Sequence, residues 1–316
     1  MPLKVAVQMD PIEAVDIKTD GTFRILLEAQ SRGHELWYYT PEKLAIRDGT
    51  VIARSRPLSV RSRIGDHFLL GDESELRLAS ADVVWLRQDP PFDMSYITTT
   101  HLLELVHPET LVVNDPFWVR NYPEKLLVLS FPHLSPPTAI ARDKSVLDAF
   151  RGEHEDIVLK PLYGNGGAGI FRISKDDCNF NSLCEMFFEA SKEPVIVQKF
   201  LPDVQYGDKR VILVDGEAVG AINRVPPPGE TRSNLHIGGT AERIELTERD
   251  IEICEEIGPL LRRNGQIFAG IDVIGGYLTE INLTSPTGIV ELERFDNVNS
   301  AALIWDVIER RIAEKT

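Results

Sequence analysis

One short segment, residues 160–170, limits the folds open to this chain more than any other. It reads Lys-Pro-Leu-Tyr-Gly-Asn-Gly-Gly-Ala-Gly-Ile, and Gly164, Gly166 and Gly169 match the GxGxxG pattern of dinucleotide-binding proteins. That pattern requires a following helix, because the helix N-terminus binds the pyrophosphate. Here residues 170–174 alternate like a strand, and the Lys-Ser/Thr pair of a P-loop is missing after Gly169. The segment is therefore predicted to be a glycine-rich turn between two strands.

A glycine-rich turn between strands is typical of loops that cover ATP phosphates. In protein kinases the backbone of such a loop folds over the phosphates, and a nearby lysine neutralises them. Glycine lets the backbone N–H groups approach a phosphate closely, because no Cβ intervenes. Lys160, on the preceding strand, is the predicted phosphate partner. The alternative is a flexible hairpin tip without a ligand, which four glycines among residues 164–169 disfavour.

Composition and charge exclude several classes of protein. The chain has 316 residues, of which 43% are hydrophobic and 26% charged, so two or three globular domains are expected. A formal net charge of −15 argues against nucleic acid or an anionic membrane as a partner. The three cysteines form no CxxC pair, which suits a reducing cytosol better than a disulfide framework or a zinc site. No signal peptide or membrane span is recognisable, so a cytoplasmic location is expected.

Residues 1–122 are predicted to form an N-terminal α/β domain. Residues 3–8 form an apolar run typical of a buried strand, residues 22–32 have helical spacing, and residues 35–40 are a second strand. This strand–helix–strand order predicts a parallel sheet. Val83–Arg87 is a further strand, which ends before two prolines.

The rest of the chain is predicted to form a central lobe, residues 123–202, and a C-terminal lobe, residues 203–316. The central lobe contains the glycine-rich turn, and the C-terminal lobe contains a hairpin at residues 267–283. Residues 226–240 begin with three prolines and have no periodicity, which is typical of a functional loop, and we predict a lid there. Among the histidines, only His236, which lies in this loop, is singled out as a candidate functional residue.

The late hairpin carries a candidate metal site. Glu280 and Asn282 are two residues apart on one arm, so their side chains share a face, and Asp272 lies on the other arm. Carboxylate and amide oxygens suit Mg²⁺. A two-residue turn at 275–276 would pair Asp272 with Thr279, facing away from Glu280, whereas a three-residue turn would place Asp272 opposite Glu280. The metal site therefore predicts the longer turn; the alternative is a set of solvated strand carboxylates.

Basic residues lie between the glycine-rich turn and the hairpin, although the protein as a whole is acidic. Lys125, Arg210, Arg224 and Arg232 are the main examples. Arginine can bind a carboxylate through two parallel hydrogen bonds. Each of these cations alone would be an ordinary surface charge; their grouping indicates a site for a polyanion. Residues 198–201 end a strand and could offer backbone groups to an adenine.

Several runs resemble known proteins. Lys160-Pro161 with the glycine-rich turn resembles the ATP-grasp superfamily, and so do residues 207–211 and 214–217. Within that superfamily the chain is similar, over nearly its whole length, to the prokaryotic glutathione synthetases. The runs that carry this second resemblance are residues 9–12 (Met-Asp-Pro-Ile), 87–93 (Arg-Gln-Asp-Pro-Pro-Phe-Asp), 124–126 (Glu-Lys-Leu), 224–226 (Arg-Val-Pro), 229–234 (Gly-Glu-Thr-Arg-Ser-Asn) and 278–287 (Leu-Thr-Glu-Ile-Asn-Leu-Thr-Ser-Pro-Thr).

The resemblance implies an ATP-grasp fold, in which two lobes enclose ATP behind an N-terminal parallel-sheet domain. It also implies roles for residues of four kinds. The metal ligands would be Asp272, Glu280 and Asn282; the ATP-binding residues Lys125, Lys160, Gly164, Asn165, Gly166, Gly167, Gly169, Gln198, Lys199, Phe200, Leu201 and Asp208; the catalytic residues Arg210, Arg224 and Arg232; and the substrate-binding residues Arg87, Asp89, Asn282, Ser285, Pro286 and Thr287.

The resemblance implies a cytoplasmic homotetramer that uses ATP and Mg²⁺, with Mn²⁺ possible. Its substrates would be γ-glutamylcysteine and glycine, joined through an acyl phosphate to give glutathione, ADP and phosphate. Three alternatives stay open at this point. They are another ATP-grasp carboxylate–amine ligase of the D-alanine or peptide-tail type, a catalytically silent nucleotide-binding module, and a nicotinamide oxidoreductase based on the GxGxxG match.

Overall fold

The computed structural model describes residues 1–230, 232–234 and 238–315. Three β-sheets with packed helices make up the described chain. They contain strands from residues 4–113, from residues 138–199 and from residues 208–282. This mixed α/β architecture confirms the predicted fold class. The domain boundaries near residues 122 and 202 stay a prediction.

The first sheet is parallel at its centre, as the strand–helix–strand order predicts. Strand β1 pairs in parallel with β2 and β7, β7 pairs in parallel with β8, and the antiparallel strand β4 extends the sheet beyond β2. Both central strands are almost wholly buried, which explains their continuous apolar sequences. The elements are β1 (Lys4–Met9), α1 (Gly21–Ser31), β2 (Glu35–Tyr39), β3 (Leu44–Arg47), β4 (Thr50–Val60), β5 (Phe68–Leu70), β6 (Ser74–Arg77), β7 (Val83–Arg87), α2 (Met94–Glu104), β8 (Leu111–Val113), α3 (Pro116–Asn121) and α4 (Glu124–Leu127).

The second sheet is antiparallel, with the order β11-β10-β12-β9. Its two helices cover a small apolar core between them and the strands. The residues after the glycine-rich turn form strand β11, as predicted, and this strand pairs with β10 on the other side of the turn. The elements are β9 (Thr138–Ala141), α5 (Lys144–His154), β10 (Ile157–Pro161), β11 (Phe171–Ile173), α6 (Phe180–Ala190) and β12 (Val195–Lys199).

The third sheet is also antiparallel, with the order β15-β14-β13-β16-β17. Its central strand β13 is buried along its whole length, and α7 packs on one face. The helix α7 begins with a capping box between Thr247 and Asp250. The elements are β13 (Asp208–Val214), β14 (Glu217–Val225), β15 (Thr240–Arg243), α7 (Glu248–Arg263), β16 (Phe268–Ile274), β17 (Tyr277–Asn282), α8 (Ile289–Asp296) and α9 (Ser300–Ala313).

The last helix joins the end of the chain to the first sheet. Trp305 of α9 is fully buried, and its Nε1 donates to the Ile25 carbonyl of α1 at 3.0 Å. Arg32, after α1, forms ion pairs with Asp306 at 2.8 Å and Glu309 at 3.1 Å. One continuous apolar core includes α1, α9 and residues of the first and third sheets. The first and third sheets are therefore held in a fixed relation, which positions the cleft between them.

A close approach of two glycines fixes helix α7 against the turn between β13 and β14. A Cβ at Gly258 would lie 2.2 Å from the Gly216 carbonyl oxygen, and a Cβ at Gly216 would lie 2.3 Å from the Gly258 oxygen. We expect Gly258→Ala to lower the free energy of unfolding by about 3 kcal/mol, because the backbones must separate. Gly152→Ala is the control: it lies in α5 with open space around it, so a gain of about 0.5–1 kcal/mol is expected. Urea denaturation of both variants measures the difference, and equal effects would contradict this account.

Candidate active site

A deep cleft with a volume of about 900 Å³ brings residues of all three sheets together. Its walls include the ends of β1 and β7, the glycine-rich turn, the end of β12 and one face of β13, β14, β16 and β17. Every predicted site residue lines this cleft except Gly169, which has a positive φ of 72° and packs behind the turn against Pro161. Residues that lie far apart in the sequence thus form one site.

Lys160 is a buried lysine with an uncharged partner. Its Nζ donates to Gln198 Oε1 at 3.2 Å, and Gln198 Nε2 donates in turn to Thr138 Oγ1 at 2.9 Å. This second bond fixes the amide so that its oxygen faces the lysine. Burial lowers the pKa of Lys160, while the charge of Glu280 acts in the opposite direction. No carboxylate of the described chain lies within 4 Å of this ammonium group, so it is available to an anionic ligand in the cleft.

Lys125 connects the glycine-rich turn to the late hairpin. Its Nζ donates to the Gly164 carbonyl at 2.6 Å and lies 3.4 Å from Glu280 Oε1. Burial alone would lower the pKa of Lys125, but the carboxylates of Glu280 and Glu124 raise it above its ordinary value. Lys125 is therefore a permanent cation between the turn and the hairpin.

The late hairpin has the predicted pairing but not the predicted turn. Asp272 lies opposite Glu280, and Asn282 follows on the same face. The turn is nevertheless the two-residue Gly275-Gly276, both with positive φ (56° and 79°), as a type I′ turn requires. A bulge in β17 at Thr279 inserts one extra residue, and this bulge shifts the register. The prediction of a three-residue turn was therefore wrong, although the pairing of Asp272 with Glu280 that it was meant to explain is present.

Two arginines surround Asp272. Arg210 is bidentate, with Nε 2.5 Å from Oδ1 and Nη2 3.0 Å from Oδ2. Arg224 Nη2 lies 2.9 Å from Asp272 Oδ2 and 2.5 Å from Asp208 Oδ2. Ser233 Oγ also donates to Asp208, at 3.1 Å. All four charged groups are buried, so the network is held at low dielectric, where charge pairing is strong.

The network separates the pKa values of its two carboxylates. Burial would raise the pKa of Asp272, but Arg210 and Arg224 hold it below its ordinary range. Burial raises the pKa of Asp208 to about 6; Arg224, its one ion-pair partner among the described residues, acts in the opposite direction, and the charge of Asp272 repels the ionised form. Asp272 therefore stays ionised, as a metal ligand must.

The described part of the predicted lid contacts the glycine-rich turn. Arg232 Nη1 lies 3.4 Å from the Gly167 carbonyl, and Nη2 pairs with Glu230 at 2.6 Å. Arg232 thus closes one side of the cleft. His236, noted in the sequence, lies outside the described residues.

The strand end at 198–201 offers one unused backbone donor to the cleft. The N–H groups of Lys199 and Phe200 donate to the Pro137 and Asp156 carbonyls, both at 2.9 Å. Across the described chain, no acceptor is found for the Leu201 N–H. An adenine nitrogen is the kind of acceptor that this arrangement suits.

The predicted substrate residues also line the cleft. Arg87 Nη2 donates to the Pro286 carbonyl at 3.2 Å, and Arg210 Nη1 approaches the Thr287 carbonyl at 3.4 Å. The turn at residues 285–287 therefore lies between two guanidinium groups. Asp89 is exposed at the rim, and its N–H donates to Asp10 Oδ2 at 2.7 Å.

Sequence reasoning missed several acidic residues of the cleft. Glu124 is half-buried and accepts from Thr284 Oγ1 at 3.1 Å; desolvation, and then the charge of Glu280, raise its pKa to about 7. Asp10 and Asp20 line the same cleft. Glu124 precedes Lys125 in a run that carried the resemblance, so that run could have indicated it. Asp20 resembles an ordinary helix cap in sequence, and only its place in the cleft distinguishes it.

Two family models match the chain. The model described as "Prokaryotic glutathione synthetase, N-terminal domain" matches residues 3–120, and "Prokaryotic glutathione synthetase, ATP-grasp domain" matches residues 124–297. A relative named glutathione synthetase, from Brucella melitensis biotype 1, is 58% identical over 311 residues, which are 98% of this chain and 100% of the relative.

Solved structures are similar in fold at low sequence identity. The structure of ATP-grasp ligase PsnB complexed with minimal precursor has a TM-score of 0.63 at 17% identity and covers 100% of both chains. The crystal structure of D-cycloserine synthetase DcsG has a TM-score of 0.66 at 15% identity, covering 98% of this chain and 99% of the other. At such identities the likeness establishes the ATP-grasp fold alone.

Proposed function

Since the chain belongs to the prokaryotic glutathione synthetase family, it is an ATP-dependent ligase that joins γ-glutamylcysteine to glycine, and we propose that the cleft described above is where it does so. One observation supports this placement above all: Asp272 and Glu280 face each other beside two buried arginines, in the same cleft as the lysines at the glycine-rich turn. Cations for a phosphoryl group and oxygen ligands for a metal thus lie together, as phosphoryl transfer requires.

The family uses ATP and therefore a divalent metal, and we propose Mg²⁺ at Asp272, Glu280 and Asn282, with Mn²⁺ as an alternative. The donor set fits, because two carboxylates and an amide supply hard oxygen ligands on one face of the hairpin. The described residues contain no group of three His, Cys, Asp or Glu side chains that could hold a metal, so the amide and the ligand phosphates would complete this set. A bound metal would neutralise charge on the transferring phosphoryl group.

For ATP, we propose that Lys125 and Lys160 bind the phosphates under the glycine-rich turn. Within the described chain, the buried ammonium of Lys160 has no carboxylate in direct contact, and a phosphate would supply the missing negative charge. The adenine would accept a hydrogen bond from the Leu201 N–H and would lie against the strand end that carries Lys199 and Phe200. Asp208 would lie near the ribose, where its second oxygen, Oδ1, is buried without a hydrogen-bond partner in the described chain.

For the ligation, the cysteinyl carboxylate of γ-glutamylcysteine attacks the γ-phosphorus of ATP, and ADP leaves. The resulting acyl phosphate is attacked by the amine of glycine, and phosphate leaves as the new amide forms. We propose that Arg210 and Arg224 stabilise the charge that develops in both steps, since they are fixed in position by Asp272 and Asp208 before the substrates bind. The glycine carboxylate would bind at residues 285–287, together with Asn282.

Omission of each substrate in turn tests the function directly. ADP release should require both γ-glutamylcysteine and glycine, and glutathione should form in equal amount. D-Alanine and peptide acceptors, which would serve a different ATP-grasp ligase, should support little release. ADP release that depends on neither γ-glutamylcysteine nor glycine would refute the assignment.

The lid should protect the acyl phosphate from water, and Arg232 is the residue that connects it to the glycine-rich turn. We expect Arg232→Ala to lower glutathione formation about 10-fold and to reduce the glutathione made per ADP, because water reaches the intermediate. The control is Arg243→Ala, which removes an exposed arginine of β15 that pairs with Asp296. An unchanged ratio of glutathione to ADP in Arg232→Ala would show that this residue does not close the site.

We also propose a cytoplasmic homotetramer. The described cysteines Cys178, Cys184 and Cys254 are all free thiols, as expected in a reducing compartment. None of the helices in the described ranges is both long and apolar enough to cross a membrane. Light scattering after size-exclusion chromatography should give about four times the mass of 35.5 kDa, and a monomer would contradict the proposal.

A further inference from the structure

Tyr163, in the glycine-rich turn, contacts a residue that belongs to the first sheet's part of the chain. Its ring is stacked on the ring of Phe92, with the centroids 6.0 Å apart and the planes 27° from parallel. Aromatic rings attract each other in this offset arrangement. Neither Tyr163 nor Phe92 lines the cleft. The contact can therefore act on the reaction only through the position of the turn.

Phe92 is a firm support for this stack. It packs against the apolar core on one face of the first sheet, and its ring lies 5.3 Å from that of the fully buried Tyr96, measured between centroids. The next residue, Asp93, caps α2 by accepting from the N–H groups of Ser95 at 2.9 Å and Tyr96 at 3.0 Å. The ring of Phe92 is thus fixed by the core and by the helix cap, independently of Tyr163.

The glycine-rich turn has little support of its own. Four of the six residues 164–169 are glycines, and glycine loses more conformational freedom than any other residue when it is ordered. Within residues 162–170, all of which the structure describes, one hydrogen bond is formed: Ala168 N–H donates to the Asn165 carbonyl at 3.1 Å. The closed position of the turn must therefore depend on contacts with other parts of the chain.

Two of those contacts come from residues that line the cleft. Lys125 donates to the Gly164 carbonyl and Arg232 to the Gly167 carbonyl. Both cations are proposed to act on the bound ligands, so their contacts with the turn compete with their contacts with those ligands. The aromatic stack uses no group of the cleft. Between residues 1–113 and 138–199, which the structure describes in full, no hydrogen bond or ion pair is formed, so the stack is the specific contact that joins the second sheet to the first.

We propose that the stack of Tyr163 on Phe92 holds the glycine-rich turn closed over the ATP phosphates, which makes both aromatic residues positioning residues for the nucleotide. This inference rests on the proposed use of the turn as the cover of ATP. A turn that is closed for only part of the time lowers the apparent affinity for ATP by the fraction of time it is closed. Saturating ATP closes the turn in either case, so loss of the stack should raise the KM for ATP and leave kcat nearly unchanged.

A double-mutant cycle tests whether the two rings act through each other. Tyr163→Ala should raise the KM for ATP about 5-fold and change kcat by less than about 2-fold. Phe92→Leu keeps an apolar side chain on the core but removes the ring, and it should raise the KM about 3-fold. The double variant should show about the 5-fold effect of Tyr163→Ala alone, instead of the product of about 15-fold that independent effects would give. Tyr163→Phe retains the ring and should have the KM of the unsubstituted enzyme.

The control is Phe117→Ala, which removes a ring of α3 that is 39% exposed, against 40% for Tyr163, and that contacts Trp118 outside the cleft; it should leave the KM unchanged. An unchanged KM in Tyr163→Ala, a loss of kcat in place of a rise in KM, or multiplied effects in the double variant would overturn the proposal.

If Phe92→Leu does not fold, Tyr163→Ala and Tyr163→Phe decide, and an equal KM for ATP in these two variants overturns the proposal. An unsubstituted enzyme that releases no ADP with γ-glutamylcysteine and glycine would instead refute the proposed function. Calorimetric titration of the same variants with a non-hydrolysable ATP analogue would then still test the stack, because it measures nucleotide binding without turnover.

Discussion

Asp272→Asn is expected to reduce ADP release about 1000-fold while the protein stays folded at assay temperature. Asp272 is the only residue of the described chain that contacts Arg210, Arg224 and Asn282 together. Its loss removes a proposed metal ligand and also the carboxylate that holds Arg210 and, together with Asp208, Arg224 in position. The measurement is kcat over a range of Mg²⁺ concentrations, combined with the metal dependence of the melting temperature in the presence of ADP. Thermal stabilisation by Mg²⁺ and ADP should disappear in the variant.

An effect on stability must be separated from an effect on catalysis in this experiment. Removing one member of a buried ion pair lowers the free energy of unfolding by about 3 kcal/mol, whether or not the pair lies in the active site. Asp250→Asn provides the control. Asp250 is 2% exposed, pairs with Lys209 and caps α7, but it does not line the cleft. We expect Asp250→Asn to be destabilised to a similar extent and to retain its kcat. If both variants lose activity equally, the effect of Asp272→Asn comes from stability and the proposed metal role is wrong.

Lys160→Met should lower kcat/KM for ATP about 100-fold and at the same time stabilise the free protein by about 1 kcal/mol. Among the described residues, the buried ammonium of Lys160 has the Gln198 amide as its hydrogen-bond partner and no carboxylate in an ion pair with it, so folding must desolvate a charge that no described residue pairs directly. Methionine has nearly the same shape without that charge. The gain in stability and the loss of ATP binding should therefore appear in one variant. Thermal melting without nucleotide and titration with ATP measure the two effects.

The matched substitution is Lys209→Met, at a buried lysine that does have a counter-ion. Lys209 pairs with Asp250, and the substitution leaves that carboxylate buried and unpaired. A loss of about 3 kcal/mol in the free energy of unfolding, with an unchanged KM for ATP, is expected. If Lys160→Met is also destabilised, Lys160 has a structural role and the inference that it awaits a phosphate is wrong.

The local elements of this fold are visible in the sequence. The strand Val83–Arg87 has the bounds that its apolar pattern predicts. The strand after the glycine-rich turn was decisive, because a strand at that place is incompatible with the helix that dinucleotide binding requires. These predictions succeed where the residues that determine an element are neighbours in the chain. Helix α8 was missed, since its eight residues are too few for a clear period.

The register of the late hairpin was not predicted correctly from the local sequence. The two glycines at 275–276 form the short turn that their sequence suggests, and the pairing of Asp272 with Glu280 then depends on a bulge at Thr279. Thr279 Oγ1 donates to the Asp272 carbonyl at 3.1 Å, which is a contact across the hairpin. A bulge of this kind has no strong sequence signature apart from its partners.

The sequence by itself determined the fold class, the family and the residues that carry charge into the cleft, because strand and helix periods, turn glycines and family-like runs are local in the chain. Only the tertiary structure decided which charges are paired. Arg210 and Arg224 have the buried Asp272 as a partner, whereas Lys160 and Arg87 lack a carboxylate within the described residues. Pairing depends on distances between strands from different sheets, and the free energy of a buried charge depends on its partners. The glycine-rich turn indicated the kind of ligand, and the packing of the three sheets brought the residues proposed to bind it into one cleft.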